Sequence, residues 1–277
     1  MPAGQNDIRR SVREGYAKVA KGSGSCCGPS RGCCGSSTPQ SLSRAVGYSD
    51  EELAAIPDGA DLGLGCGNPI ALASLRPGES VLDLGSGAGI DCFLAARRVG
   101  PQGKVIGVDM TAEMLEKARR NATRAGVTNV DFRLGEIEHL PVADDSVDVV
   151  ISNCVINLSP DKPQVFLESF RVLHTGGRLM VSDIVLDSPL PKRLLDSAAA
   201  YVGCISGACL QADYLGMIIA AGFGNVAVVS EERFPVEATA GDPTLRALVR
   251  ESGLSLDELR NAAAGVRSVR VSALKPR

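Results

Sequence analysis

The residues of this 277-residue chain with the clearest chemical potential are its nine cysteines. Thiolates are nucleophiles and soft ligands, and they select soft ions over hard ones. Cys66 lies between two glycines, and Cys154 directly follows an apolar run that ends in Asn153. Buried cysteines normally lie in apolar runs, so we expect Cys66 to be outside the core. Cys92 stands beside Phe93 and Leu94 on a predicted helix, which favours a packing role.

Four further cysteines form two vicinal pairs within residues 22–40, a segment rich in Gly, Ser and Pro that we predict to be a flexible loop. Zinc sites prefer C-x-x-C spacing, so adjacent thiols separated by five residues suit zinc poorly. Transient capture of a soft, thiophilic ion fits better, and an unstructured tail with incidental cysteines is the alternative. The two pairs are Cys26-Cys27 and Cys33-Cys34.

A glycine-rich turn after a predicted strand could bind a ligand near these thiols. Residues 81–84 have the apolar character of a buried parallel strand, and the G-x-G-x-G run of Gly85, Gly87 and Gly89 follows at once. Glycines permit positive φ and let a ligand lie against bare backbone, while the helix predicted behind them offers free N–H groups. The spacing differs from the G-x-G-x-x-G run of dinucleotide enzymes. Asp83 stands two residues before the first glycine.

A second predicted strand, residues 104–109, ends in Asp109 twenty positions after Gly89. An acid at that point can accept hydrogen bonds from both hydroxyls of a ribose, and Met110 could lie against an adenine ring. A third strand is predicted over residues 130–134. The "P-x-x-D-x-S-x-D-x-V" run from Pro141 then leads into a fourth.

This order of motifs resembles class I S-adenosylmethionine-dependent methyltransferases, over roughly residues 65–275. The resemblance implies an α/β fold, with a doubly wound, mostly parallel, seven-stranded, Rossmann-like sheet. It also implies S-adenosylmethionine as cofactor and S-adenosylhomocysteine as product. The implied cofactor-binding residues are Asp83, Gly85, Ser86, Gly87, Asp109, Met110, Glu136, Ile137 and Asn153.

The segments after the fourth and fifth strands bear on the nature of the methyl acceptor. Transfer to O or N acceptors generally needs a base, and neither His139 nor His174 is well placed to be one. The segments "L-G-C-G-N-P", "S-N-C-V-I-N-L-S-P-D-K" and "C-I-S-G-A" resemble arsenite methyltransferases. The resemblance implies that Cys66, Cys154 and Cys204 hold trivalent arsenic. It also implies that one of the amino-terminal cysteines contributes; taken alone, Cys204 could equally be a packing residue.

Thiol-bound arsenic keeps a lone pair that carries no proton, so no general base is required. The lone pair needs alignment with the methyl carbon at roughly 3–3.5 Å. The resemblance implies arsenite and methylarsenite, as thiol conjugates, for substrates, methylated arsenicals as products, and glutathione or thioredoxin as reductant. Two alternatives remain: a quinone- or sterol-type C-methyltransferase, favoured by a lipophilic pocket without converging thiols, and a non-enzymatic thiol-based metalloid-binding protein.

Composition limits the partners. Net charge is −3, and four Tyr, six Phe and no Trp give little basis for a nucleic-acid surface. The sequence has no secretory leader pattern and no run of some 18 apolar residues, so we expect a cytoplasmic protein without a membrane anchor. We also expect a monomer. Its cysteines are then expected to be thiols rather than a disulfide framework.

We predict three regions. Residues 1–45 comprise a helix and the flexible cysteine-rich loop, residues 46–186 form the cofactor-binding α/β core, and residues 187–277 add an arsenic-binding helical segment and the strands that complete the sheet. The amino-terminal helix is predicted to be either a lid over the cofactor or a packing arm. One of its faces carries Ile8, Val12, Tyr16 and Val19.

Overall fold

The computed structural model describes residues 5–22, 39–69, 74–191, 207–233 and 264–277. Cys204, the four amino-terminal cysteines and most of the predicted carboxyl-terminal helical segment lie outside these ranges. The expectations for them therefore stay predictions.

The described residues form one seven-stranded sheet with the order β3-β2-β1-β4-β5-β7-β6. The first five strands in this order are parallel, and β7 runs antiparallel to both of its neighbours. This confirms the predicted doubly wound, mostly parallel sheet. The strands are β1 (Ser80–Leu84), β2 (Lys104–Asp109), β3 (Val130–Leu134), β4 (Val147–Asn153), β5 (Leu173–Leu186), β6 (Gly224–Arg233) and β7 (Val266–Leu274).

Helices cover both faces of this sheet because successive side chains of each buried strand point to opposite sides. The helices are α1 (Gln5–Ala20), α2 (Pro39–Ala45), α3 (Asp50–Ala55), α4 (Ile90–Val99), α5 (Ala112–Ala125), α6 (Lys162–Val172) and α7 (Gln211–Ala220), with a 3₁₀ turn at Ile156–Leu158. Val81 of β1 packs in one cluster with α4 and α5, and Leu82 packs in a second cluster with α6 and α7.

The candidate site lies at the carboxyl ends of the two central strands, β1 and β4. Strands β1 and β4 are parallel neighbours, with Leu82 of β1 in register with Val150 of β4. The chain reverses its direction of winding between them, so their carboxyl ends open a crevice at the topological switch point.

Neither His174 nor Thr111 is a side-chain cap of a helix. Helix α6 ends at Val172 and β5 begins at Leu173, so His174 lies in the strand. Thr111 occupies the N-cap position of α5, but its side chain makes no capping hydrogen bond. Among the described residues, no helix is both long and apolar enough to cross a membrane.

Candidate active site

The glycine turn after β1 has the backbone that its sequence predicted. Gly85, Gly87 and Gly89 all have positive φ, at 67°, 52° and 100°. A Cβ on Gly85 would lie 2.3 Å from Val155 Cγ2, so only glycine fits there. A Cβ on Gly87 would meet nothing within 4 Å, because this side of the turn faces the open cleft. A ligand can therefore approach the backbone at Gly87.

Asp109 closes the turn from the neighbouring strand. Its carboxylate accepts hydrogen bonds from the backbone N–H of Gly87 at 2.9 Å and of Thr111 at 2.7 Å. Burial nevertheless raises the pKa of Asp109. Met110 and Ile137 line the same cleft. The structure thus brings the predicted ribose acceptor, the predicted adenine contact Met110 and the predicted cofactor-binding residue Ile137 to the same cleft.

A buried polar network that the sequence analysis missed forms the floor of the cleft. The carboxylate of Asp91 accepts hydrogen bonds from Tyr48 Oη at 2.8 Å and from Asn153 Nδ2 at 3.1 Å. Burial raises the pKa of Asp91 to about 6. Asp83 is also buried, and desolvation together with the charge of Asp91 raises its pKa well above the ordinary value. The signal for Asp91 was an acid in the first turn of the helix behind the glycines.

The two glutamates after β3 have different places. Glu138 lines the cleft and accepts hydrogen bonds from Arg9 at 3.2 Å and from Ser159 Oγ at 2.7 Å. Glu136, the predicted cofactor contact, does not line the cleft and forms ion pairs with Arg9 and Arg13, both at 3.4 Å. The structure therefore places Glu138, rather than Glu136, on the cleft wall, because Glu136 is turned toward α1.

Helix α1 covers the cleft. Val12 is 1% exposed and packs in one cluster with Cys66, Cys154 and Leu158, with Tyr16 beside it. Arg9, Val12 and Tyr16 all line the cleft, as the lid interpretation requires. Val19, which was predicted on the same face, is 37% exposed, so the packed face ends before it.

Cys66 and Cys154 are joined by a disulfide, with their Cα atoms 5.7 Å apart. The expectation that these cysteines are free thiols is wrong for this state of the protein. The prediction that Cys66 lies outside the core is also wrong, because it is 3% exposed. Asn153 Oδ1 accepts a hydrogen bond from Cys66 N at 3.1 Å, and Ser268 Oγ donates to Cys66 O at 2.7 Å. These bonds bury a loop whose glycines alone suggested exposure.

Cys154 stands between the two halves of the site. It lines the cofactor cleft and also belongs to the buried cluster around Cys66. Its φ is +58°, an uncommon conformation for a residue other than glycine, and such strain concentrates at functional positions. Cys92, in contrast, is fully buried and donates its thiol hydrogen to Asp83 Oδ2 at 3.2 Å, which confirms its predicted packing role.

Comparison with known proteins identifies the family. An arsenite methyltransferase of Halobacterium salinarum is 51% identical over 82% of this chain and 60% of its own length. Another, from Aquipseudomonas alcaligenes, is 38% identical over 84% of this chain and 67% of its own. The family described as "Methyltransferase domain" matches residues 75–222. The chain belongs to the arsenite methyltransferase family.

A solved relative agrees with this assignment. The crystal structure of an arsenic (III) S-adenosylmethionine methyltransferase from Chlamydomonas reinhardtii superposes with a TM-score of 0.61 at 33% identity, covering 85% of this chain and 73% of that one. The chain spans about 60% of the length of the Halobacterium arsenite methyltransferase. The acceptor that these relatives methylate is therefore a proposal for this chain.

The cleft fits the cofactor of this family, S-adenosylmethionine. The backbone at Gly87 is open to the cleft, since a Cβ there would meet nothing within 4 Å, and the carboxylate of Asp109 lies 2.9 Å from the Gly87 N. An open glycine backbone beside a carboxylate suits the methionine and ribose parts of this cofactor. The buried Ser86 hydroxyl instead lies toward β2, where a Cβ on Gly107 would be 2.8 Å from it.

Proposed function

We propose that the protein transfers methyl groups from S-adenosylmethionine to trivalent arsenic held by cysteine thiolates. The observation that carries this proposal is that Cys66 meets Cys154, which lines the cofactor cleft, although the two are 88 positions apart in sequence. Two sulfurs brought together by different loops form a soft-ligand site, and Cys154 borders the cleft in which the methyl donor would lie.

The cofactor is placed along the carboxyl ends of β1, β2 and β4. In this placement the methionine part rests on Gly85, Ser86 and Gly87, and the ribose hydroxyls are bound by Asp109. The adenine lies near Met110 and Ile137, which line the cleft together. Asp83 and Asn153 support the floor beneath the methionine part, while Glu138 takes the place first predicted for Glu136.

Arsenic requires the reduced form of the cysteine pair. A disulfide has no thiolate to offer, so a thiol reductant such as glutathione or thioredoxin must first open the bond between Cys66 and Cys154. Cys204 would supply a third sulfur, and one or more of Cys26, Cys27, Cys33 and Cys34 would capture arsenic earlier. Dependence on reduced thiols suits a cytoplasmic protein, which we propose acts as a monomer.

In this proposal the residues of the chain orient the two reactants and exclude water, and none of them transfers a proton. With arsenic held by the thiolates and S-adenosylmethionine in the cleft, the cofactor would supply a methyl group to the arsenic lone pair without release of a proton. Accordingly, neither histidine lines the cleft among the described residues. Helix α1 covers the cleft with Val12 and Tyr16, which limits water near the sulfonium.

The two alternative functions are less well supported. A lipophilic pocket without converging thiols would have favoured a quinone- or sterol-type C-methyltransferase. In this structure Cys66 and Cys154 meet beside the cleft instead. A non-enzymatic metalloid-binding protein would not need a cofactor site, whereas this chain has an open glycine turn hydrogen-bonded to Asp109, the predicted ribose acceptor. Both features support a methyltransferase that acts on a thiol-bound acceptor.

One assay tests the proposal. The reduced protein is incubated with S-adenosylmethionine, arsenite and glutathione, and the arsenic species are separated by chromatography and counted by mass spectrometry. We expect methylated arsenic, with one S-adenosylhomocysteine formed for each methyl group transferred. Absence of methylated arsenic from a folded protein that binds the cofactor and has reduced thiols would overturn the proposal. Demethylmenaquinol, supplied in a parallel reaction, tests the quinone-type alternative.

A further inference from the structure

Asp183 of β5 lies beside the cysteine pair although the sequence analysis gave it no role. One of its carboxylate oxygens, Cys66 Sγ and Cys154 Sγ all lie within 4.8 Å of one another. The residue is 0% exposed. A fully buried carboxylate next to two candidate arsenic ligands needs a physical explanation, because burying a charge is costly unless it is compensated.

Three hydrogen-bond donors hold this carboxylate. Asn157 Nδ2 donates at 2.8 Å, the backbone N–H of Ile184 at 2.9 Å and Tyr214 Oη at 3.1 Å. Donors of this kind stabilise the ionised form of a carboxylate. Both carboxylate oxygens receive at least one of these donors, because Asn157 and Ile184 donate to Oδ1 and Tyr214 donates to Oδ2. The three donors therefore favour the ionised carboxylate and fix its charge in place.

Methyl transfer to arsenic moves a positive charge. The bond between the methyl carbon and the sulfonium sulfur breaks, and its electron pair stays on the sulfur, which becomes neutral. The arsenic lone pair forms the new As–C bond, so arsenic is formally oxidised from +3 to +5 and its three-sulfur complex becomes a cation. One unit of charge thus passes from the cofactor to the arsenic centre, with no proton gained or lost.

We propose that the carboxylate of Asp183 is the fixed counter-charge for the cationic arsenic centre that forms during methyl transfer. The inference rests on the proposed function and deepens it. Arsenic bound by Cys66 and Cys154 lies close to Asp183, so the attraction grows as charge leaves the cofactor and reaches the arsenic. An interaction that strengthens along the reaction accelerates the chemical step more than it strengthens binding.

A purely structural role makes a different prediction. Asp183 joins β5 to the 3₁₀ turn through Asn157 and to α7 through Tyr214. If these bonds alone mattered, Tyr214→Phe would harm the protein much as a change at Asp183 does. Tyr214→Phe removes one hydrogen bond and leaves the charge, whereas Asp183→Asn removes the charge and keeps the size. The two variants therefore separate charge from packing.

The test measures single-turnover methyl transfer with reduced protein, arsenite and saturating S-adenosylmethionine, so that later reduction steps do not limit the rate. A unit charge about 6 Å from the reacting centre, at an effective dielectric constant of about 20, corresponds to a rate effect of roughly 10- to 100-fold. We expect Asp183→Asn to slow methyl transfer by about that factor. Dissociation constants for arsenite and for the cofactor should stay within about twofold, and Tyr214→Phe and Asp183→Glu should keep most of the rate.

Other results would overturn either the counter-charge role of Asp183 or the proposed function. A wild-type rate in Asp183→Asn, or an equal loss in Tyr214→Phe, would overturn the counter-charge role while leaving the proposed function intact. Failure of the wild-type protein to methylate arsenic would overturn the proposed function itself. If Asp183→Asn does not fold, the comparison is made between Asp183→Ser and Asp183→Glu: the role requires that only the variant that retains the carboxylate stays active.

Discussion

The carboxylate of Asp109 accepts a hydrogen bond from the backbone N–H of Gly87 at 2.9 Å, and this bond ties the end of β2 to the glycine turn after β1. The bond holds the proposed ribose site at Asp109 next to the turn on which the methionine part of the cofactor would rest. We expect Asp109→Ala to weaken S-adenosylmethionine binding by about 1.5–3 kcal/mol, because a charged hydrogen-bond acceptor is lost.

Isothermal titration calorimetry measures this effect. Asp131→Ala serves as the control, because that carboxylate in β3 pairs with Arg133 at 2.8 Å and does not line the cleft. Unchanged affinity in Asp109→Ala would rule out the proposed placement of the ribose.

Serine substitutions should distinguish the site cysteine from the core cysteine. Cys154→Ser should abolish methylation and keep cofactor affinity within about twofold, because a hydroxyl is too hard a ligand for arsenic. Cys92→Ser should retain arsenite binding, since serine can still donate to Asp83. Arsenic speciation and calorimetry on both variants provide the measurements, and an exchange of the two phenotypes would show that the cysteine roles are reversed.

Reduction should activate the protein and destabilise it at the same time. The disulfide of Cys66 and Cys154 closes a loop of 88 positions, and a loop of that size constrains the unfolded chain by about 4–5 kcal/mol. We expect urea denaturation to show a loss of up to that amount when a reductant is added, together with a gain in arsenite bound. The Cys66→Ser, Cys154→Ser double variant is the control and should show neither change at this site. An oxidised protein that binds arsenite as well as the reduced one would contradict the prediction.

The pKa of Asp91 predicts a particular dependence of stability on pH. Burial raises this pKa from 3.8 to about 6, so between those values the folded protein binds more protons than the unfolded chain. This contribution to the free energy of unfolding is fully present below pH 4 and is lost as pH rises through 6. From pH 4 to 7 the wild type should lose about 2 kcal/mol more than Asp91→Asn. Urea titrations at four pH values measure the difference, and parallel pH curves for the two proteins would exclude it.

Ion pairs between Arg9 and two glutamates hold helix α1 over the cleft, so loss of the Arg9 side chain should speed cofactor release. Arg9 is only 14% exposed at its side chain and contacts both Glu136 and Glu138. Arg9→Ala should raise the dissociation rate of the cofactor several-fold, whereas Arg10→Ala should not, because Arg10 pairs with Asp7 on its own helix. Stopped-flow displacement measures both rates. Equal rates in the two variants would indicate a packing arm rather than a lid.

The parts of the molecule that are specified locally could be predicted from sequence. The apolar run of β2, with Asp109 at its end, and the positive-φ glycines of the turn carry their structure in adjacent residues. The bounds predicted for β2 and β3 are those found. Cys154 was expected directly after a strand because the apolar run before it ends in Asn153, and β4 does end there.

Contacts between distant segments could not be predicted in this way. Tyr48 donates to Asp91 across 43 positions, and Arg9 reaches Glu138 across 129. The exposure of Cys66 was misjudged for the same reason, since its cover comes from Ser268, which is 202 positions further along the chain. Neighbouring residues contain no signal for such partners.

The insertion of β7 between β5 and β6 has a consequence for biosynthesis. In the described sheet β6 pairs only with β7, and β7 also supplies the Ser268 hydroxyl that holds the Cys66 backbone. A ribosome adding about 5–20 residues per second needs roughly 10–40 s to travel from Cys66 to Ser268. During that interval the nascent chain has no strand to close this edge of the sheet. The thiol of Cys66 therefore emerges well before its final surroundings exist, and these surroundings are completed near the end of folding.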